Sequence, residues 1–283
     1  MDAIELIKKP LELVYSSATR LGYVPRRPYA HYYLNTEGIK SRIHLQNFYS
    51  SFWPEVNEVA TATFTVFDRS GRQTHRFSRD LVPFGQIYLE MDEYSNDEPS
   101  SEGMVFVDLE PGPAVKKKFS KLPHPEEVSI ATPFWMSYRD EDENYMYVHS
   151  ISTVEGEVKG GITPINWKLS RNQSARPTWK SWRLLDVQLL DDLQVVAMNH
   201  SNLSGDATIS VFADNGDVLW SEKVSLATKQ VERLRIPQEL IAYWKHERIS
   251  DHIRIGMDPL LSSNGKPYIV MKYAGGPLSL HHG

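Results

Sequence analysis

Apolar and polar residues alternate with a period of two along most of this chain from about residue 42 onward, a pattern that predicts strands with one buried face. In residues 62–67, Phe64 and Val66 take one face while Thr63 and Thr65 take the other. Asp68-Arg69-Ser70-Gly71 then reverses the chain, with a glycine where a positive φ is needed. The same writing recurs 145 positions later: Ala207-Thr208-Ile209-Ser210-Val211-Phe212, then Asp214-Asn215-Gly216. Further strands are predicted at 86–91, 104–109, 134–138 and 145–151, and at 184–189, 193–199, 218–224, 230–236, 252–255 and 268–273. Short strands broken by turn signals every 8–12 residues are the signature of packed antiparallel sheets.

Two stretches have helical spacing instead. Ala3, Ile4, Ile7, Leu11, Val14, Ala18 and Leu21 form one apolar stripe, which predicts an amphipathic helix over about 2–22, with Pro10 as a kink or a late start. In the second, Pro237 stands where an N1 proline belongs, and Leu240, Ile241 and Trp244 share a face.

The repeated hairpin is one of several matches in the same order. Arg27-Pro28-Tyr29-Ala30-His31 aligns with Arg176-Pro177-Thr178-Trp179-Lys180 at an offset of 149, and Asn47 with Asn199 at 152. Pro133-Phe134-Trp135-Met136 resembles Pro267-Tyr268-Ile269-Val270-Met271, giving 135 at the methionine, and His149 aligns with His281 at 132, with His282 adjoining. The expected architecture is therefore all-β: tandem duplicated antiparallel β-sandwiches behind an N-terminal amphipathic helix. The expected divisions are 1–26 for the helix and lead-in, 27–150 for the first sandwich, 151–175 for a linker and 176–283 for the second. A chain of 283 residues suits two such domains.

Composition narrows the function classes. The absence of cysteine removes disulfides, thiolate catalysis and cysteine-ligated metals. A net charge of −5 argues against nonspecific nucleic-acid binding. No run reaches the roughly 18 apolar residues of a membrane span, and the N-terminus lacks a basic signal region, so the cytoplasm is expected. Nucleotide-binding glycine loops and serine-hydrolase elbows are missing. The acidic clusters Asp92-Glu93, Asp97-Glu98 and Asp140-Glu141-Asp142-Glu143 lack the alternating ligands of a calcium loop and read as solvated turns.

Of ten histidines, the matched His149 and His281 invite a metal or acid–base reading. No HxH or HExxH spacing supplies a third ligand, so they read as hydrogen-bonding residues, and no cofactor or metal is assigned. Aromatic residues are the more telling excess. Trp53, Trp167, Trp179 and Trp182, with Tyr29, Tyr32, Tyr33 and Tyr49, can fill a core, anchor an interface or stack on a sugar. The candidate contact set is Trp167, Trp179 and Trp182 with Lys168, Arg171, Arg176 and Arg183, a tryptophan–arginine mixture typical of binding hot spots.

The plan around Asn199, Ala207–Phe212, Asp214–Gly216, the stretch from Val224 to Ile236, and Pro133–Tyr138 with Glu143-Asn144 resembles the small β-sandwich family of sensory-rhodopsin transducers. That resemblance implies a non-catalytic, oligomeric binding or signalling domain, with carbohydrate or small-molecule binding among relatives. The chain departs from it in having two units, an N-terminal helix and a tryptophan-rich linker. The expected function is accordingly a non-catalytic binding or structural module. It is expected to act as a homo-oligomer or with a protein partner, because sandwiches leave edge strands to protect. The competing class is a hydrolase or isomerase with scattered histidines and carboxylates.

Overall fold

A computed structural model describes residues 29–36, 38–94, 101–119, 121, 134–152, 179–181, 183–202, 204–261 and 265–282. The expected helix over 2–22 and nearly all of the expected linker lie outside them.

The first sandwich contains β1 (Tyr29–Asn35), β2 (Ile39–Gln46), a short helix α1 (Tyr49–Phe52), β3 (Ala60–Asp68), β4 (Gln73–Leu81) and β5 (Gln86–Glu90). It continues with β6 (Ser101–Glu110), α2 (Pro113–Phe119), β7 (Phe134–Asp140), β8 (Tyr145–His149) and β9 (Ile151–Ser152). The second contains β10 (Trp179–Lys180), β11 (Leu185–Asp186), β12 (Leu190–Met198), β13 (Gly205–Ala213), β14 (Val218–Leu226) and β15 (Val231–Arg235). It closes with α3 (Gln238–His246), β16 (His252–Asp258), β17 (Tyr268–Tyr273) and β18 (Leu278–His282). The fold is all-β and its pairings are antiparallel.

Four sheets result. Sheet I has the order β5-β2-β7-β8 and sheet II the order β4-β3-β6-β1-β9. Sheet III has the order β15-β12-β17-β18, and sheet IV runs β14-β13-β16, with β10 and β11 both paired to β16. Sheets I and III thus share one strand order, and sheets II and IV share the other.

Local detail repeats as well. Both long hairpins carry a register irregularity at the same place, between Val66 and Phe67 and between Val211 and Phe212. Gly71 and Gly216 hold φ of 87° and 92°, the left-handed turn that glycine adopts without a Cβ clash. The side-chain amide of Asn47 donates to Leu81 O at 3.1 Å and Val82 O at 3.3 Å; that of Asn199 donates to Leu226 O at 3.2 Å and Ala227 O at 2.9 Å. In the turns these asparagines hold, Phe84 and Lys229 both adopt positive φ, at 55° and 61°.

Strand register corrects three sequence alignments. His44 pairs with Trp135 and Trp135 with His149, while Val196 pairs with Tyr268 and Tyr268 with His282. The counterpart of His149 is therefore His282, not His281, and Trp135, not Phe134, matches Tyr268. At the start, Tyr29 faces Val107 and Trp179 faces Met257, so Tyr29 matches Trp179 rather than Thr178. Ile151–Ser152, expected to open the linker, instead forms β9 and pairs with β1. Pro237 caps α3 from outside rather than occupying its first turn.

The four sheets stack in the order I, II, III, IV. Sheets I and II enclose Ile43, Phe64, Val66, Val107, Phe134 and Met136. Sheets III and IV enclose Val195, Ile209, Val211, Ile255, Ile269 and Trp244 of α3. The opposite faces of β12 and β17 carry Val196, Met198, Tyr268 and Val270, and these join the first core together with Val231 and Leu280. Sheet III is consequently buried on both faces, and its outer face seals against sheet II.

A charged cluster pins that seam. Glu102, on β6, accepts from the Tyr32 hydroxyl at 2.6 Å, from Arg233 Nε at 3.0 Å and lies 3.3 Å from Arg69 Nη1. Arg69 also reaches Glu232 at 2.7 Å, and its carbonyl accepts from Val231 N at 3.0 Å. A carboxylate this buried is tolerable because two guanidinium groups and a hydroxyl replace its lost water.

Candidate functional site

Sheet I is the end of the stack, and nothing among the described residues covers its outer face. Alternation along each strand sends Tyr88 of β5, His44 of β2, Trp135 of β7 and His149 of β8 to that face. Register aligns them: His44 lies opposite Tyr88 on one side and Trp135 on the other, and Trp135 lies opposite His149. The result is one row of four rings crossing four strands, about 14 Å long at ordinary strand spacing. The next row is Glu90, Arg42, Ser137 and Tyr147, and Tyr145 stands beyond it opposite Arg139.

These rings are exposed: Tyr88 59%, Tyr147 56%, Tyr145 43% and Trp135 41%. They also touch one another. His44 meets Tyr88 edge-on at 5.2 Å and Tyr147 at 5.4 Å, and Tyr145 stacks on Tyr147 at 6.3 Å. Polar groups are set among them. His44 Nε2 lies 2.7 Å from Ser137 Oγ, Arg42 pairs with Glu90, and the Tyr88 hydroxyl donates to Gln86. Burial, then the charge of Arg42, push the His44 imidazole below its ordinary value, so near neutral pH it is an uncharged ring with one donor and one acceptor.

The row ends at the seam. His149 Nδ1 lies 3.0 Å from the Ser150 carbonyl, so that nitrogen carries the proton and Nε2 presents a lone pair. His282 Nε2 lies 2.8 Å from it and donates across the gap, and the His282 ring packs on Tyr268. Behind them His31 is fully buried, with Nδ1 2.8 Å from Tyr32 O and Nε2 3.0 Å from Val148 O. Burial pushes His31 and His200 down to about 3 and His281 down to about 4, so all three are neutral. Burial pushes the hydroxyls of Tyr32, Tyr138 and Tyr268 upward, which keeps them protonated. No group of three or more metal-type side chains converges among the described residues.

The contact set expected from sequence is not assembled here. Trp167, Trp182, Lys168, Arg171 and Arg176 lie outside the described residues. Trp179 is half-buried against the second core and pairs with Met257, while Arg183 is exposed on the loop after β10. Tyr32, Tyr33 and Tyr49 are core residues, and Trp53 packs on the first core. The exposed row went unread because its members are scattered between residues 44 and 149. The signal available was an aromatic on the polar phase of a strand: Tyr88 between Ile87 and Leu89, and Tyr145, Tyr147 and His149 alternating with Met146 and Val148.

No family model matches the chain, and no curated protein matches it. Among solved structures, it is similar to a β-glucuronidase from glycoside hydrolase family 2 at 9% identity and a TM-score of 0.18, covering 90% of this chain and 23% of that one. It is also similar to a putative β-galactosidase from Bacteroides fragilis at 9% identity and a TM-score of 0.21, covering 91% and 32%. The chain spans only about a quarter to a third of the length of these structures. Scores this low do not establish a shared fold. No helix among the described residues is long and apolar enough to cross a membrane.

Proposed function

We propose that this chain is a non-catalytic binding module, built from two copies of one sandwich (27–150 and 176–283), whose recognition surface is the outer face of sheet I. The observation that carries this reading is the exposed cross-strand row of Tyr88, His44, Trp135 and His149. Large rings held in water by a rigid sheet are a standing apolar platform, and clustered exposed aromatics mark interaction sites. The ligand that suits them has flat apolar faces and a hydroxylated edge. Rings stack under the first, while Gln86 and the Arg42–Glu90 pair meet the second. A carbohydrate chain has that chemistry.

The test is affinity electrophoresis of the full chain through gels containing neutral and acidic polysaccharides. The reading expects retardation by at least one glycan, lost in Trp135→Ala/Tyr147→Ala with an unchanged melting temperature. Migration unaffected by every glycan, or retardation that survives the double substitution, overturns it.

One observation favours a second use of the same face. The corresponding face of sheet III is a protein contact, sealed on sheet II. Self-association through sheet I would then appear as a concentration-dependent mass in light scattering that Trp135→Ala/Tyr147→Ala abolishes.

A further inference from the structure

The two histidines at the seam are the same position of the two sandwiches, brought together by the way one stacks on the other. We propose that His149 and His282 form a site for a divalent transition-metal ion, copper(II) or nickel(II), clamped between the two units. The inference is independent of the carbohydrate reading.

Ring geometry carries it. Two imidazoles sharing a straight N–H···N bond at 2.8 Å would have centroids about 5.1 Å apart, given about 1.15 Å from centroid to Nε2 and near-linear hydrogen bonding. The centroids are 4.3 Å apart. The ring axes are therefore turned off the line joining the nitrogens. Two nitrogens 2.8 Å apart can both lie about 2.0–2.1 Å from one ion, at an angle of about 85–90°, the separation of a cis tetragonal pair. The hydrogen bond between the rings is correspondingly bent and weak, so its loss on metal binding is a small penalty.

The surroundings fit as well. The Ser150 carbonyl holds the proton of His149 on Nδ1, the arrangement that outer partners of ligating histidines usually impose. His282 becomes a ligand when its proton passes from Nε2 to Nδ1. No third metal-type side chain joins the pair among the described residues, which leaves the other coordination positions to water or an added ligand. That donor set suits copper(II) or nickel(II) better than structural zinc, which takes four protein ligands.

The test titrates the full-length chain with copper(II), nickel(II) and zinc(II) and follows bound metal and melting temperature. With ten histidines in the chain, weak background binding is expected, and the first equivalent decides the question. It is expected to raise the melting temperature, because the ion ties β8 to β18 and binds only the folded chain. His149→Gln and His282→Gln should each weaken that first equivalent at least tenfold, while His246→Gln, an exposed histidine on α3, should not. Equal first-equivalent binding by the unsubstituted chain and both seam variants overturns the proposal. Should a seam variant fail to fold, substoichiometric copper(II) on the unsubstituted chain decides it. The imidazole signals with contacts to Trp135 and Tyr268 must broaden before any others, and the reverse order sinks the site.

Discussion

The outer faces of sheets I and III have the same strand order and the same register, and they have opposite fates. In sheet III the positions read Arg233, Val196, Tyr268 and His282 along one row, with Val270 and Leu280 in the next, and Val196, Tyr268, Val270 and Leu280 are closed against sheet II. In sheet I the same places hold Tyr88, His44, Trp135 and His149, with Ser137 and Tyr147 behind, and Tyr88, Trp135 and Tyr147 are exposed to water. Aliphatic and aromatic side chains, pinned by the ion pairs of Glu102, close that seam. Under the proposed function, large aromatics mixed with an ion pair offer stacking area to a reversible ligand. The difference teaches that backbone topology offers a face and side chains decide whether it is sealed or left exposed.

Paired substitutions test that contrast most severely. Leu280→Asp puts a charge into the seam and should cost about 4–5 kcal/mol or more, enough to abolish the folded state. Tyr147→Asp, at the matched position of sheet I, should stay within about 0.5 kcal/mol. Urea melts of both would undo the contrast if the two losses were similar.

Acid should attack the seam before the open face. His31, His200 and His281 have folded values near 3, 3 and 4, below the ordinary 6.5, so the unfolded chain takes up protons first as pH falls. Their full stability is present above about pH 6.5 and is lost progressively down to about pH 4 and then 3, by up to about 1.4 kcal/mol per pH unit for each ring. Chemical denaturation at pH 7, 6 and 5 measures this slope. A stability unchanged between pH 7 and 5 would mean the rings are not held neutral.

The smallest effect tests sameness rather than difference. Asn47→Ala strands the carbonyls of Glu58, Leu81 and Val82, Asn199→Ala those of Leu226 and Ala227, and each should cost about 1–3 kcal/mol. Losses that agree within about 0.5 kcal/mol support one unit used twice; widely unequal losses would separate the two halves.

The hairpins were readable because Phe64 and Val66 alternate cleanly with threonines and a glycine ends each run. β1 was not, because Tyr29–Asn35 is buried on both faces and shows no alternation. β4 escaped for the opposite reason: Gln73–Leu81 is mostly exposed and polar, so little in it marks a buried side. The one-residue errors at His149 and Trp135 arose where identities were sparse. There, register is set by backbone pairing, which a letter-by-letter match does not see. The aromatic row depends on neighbours across strands, and no local window holds more than two of its members.

The turn at Gly71 carries a last consequence. A Cβ there would strike Thr228 O at 2.3 Å, whereas one at Gly216 would meet nothing within 4 Å. The first hairpin is plugged into the second unit, and the second hairpin is an unfilled plug. Units joined head to tail in this way define a direction of growth, and repeated addition would lead to a fibre or a ring.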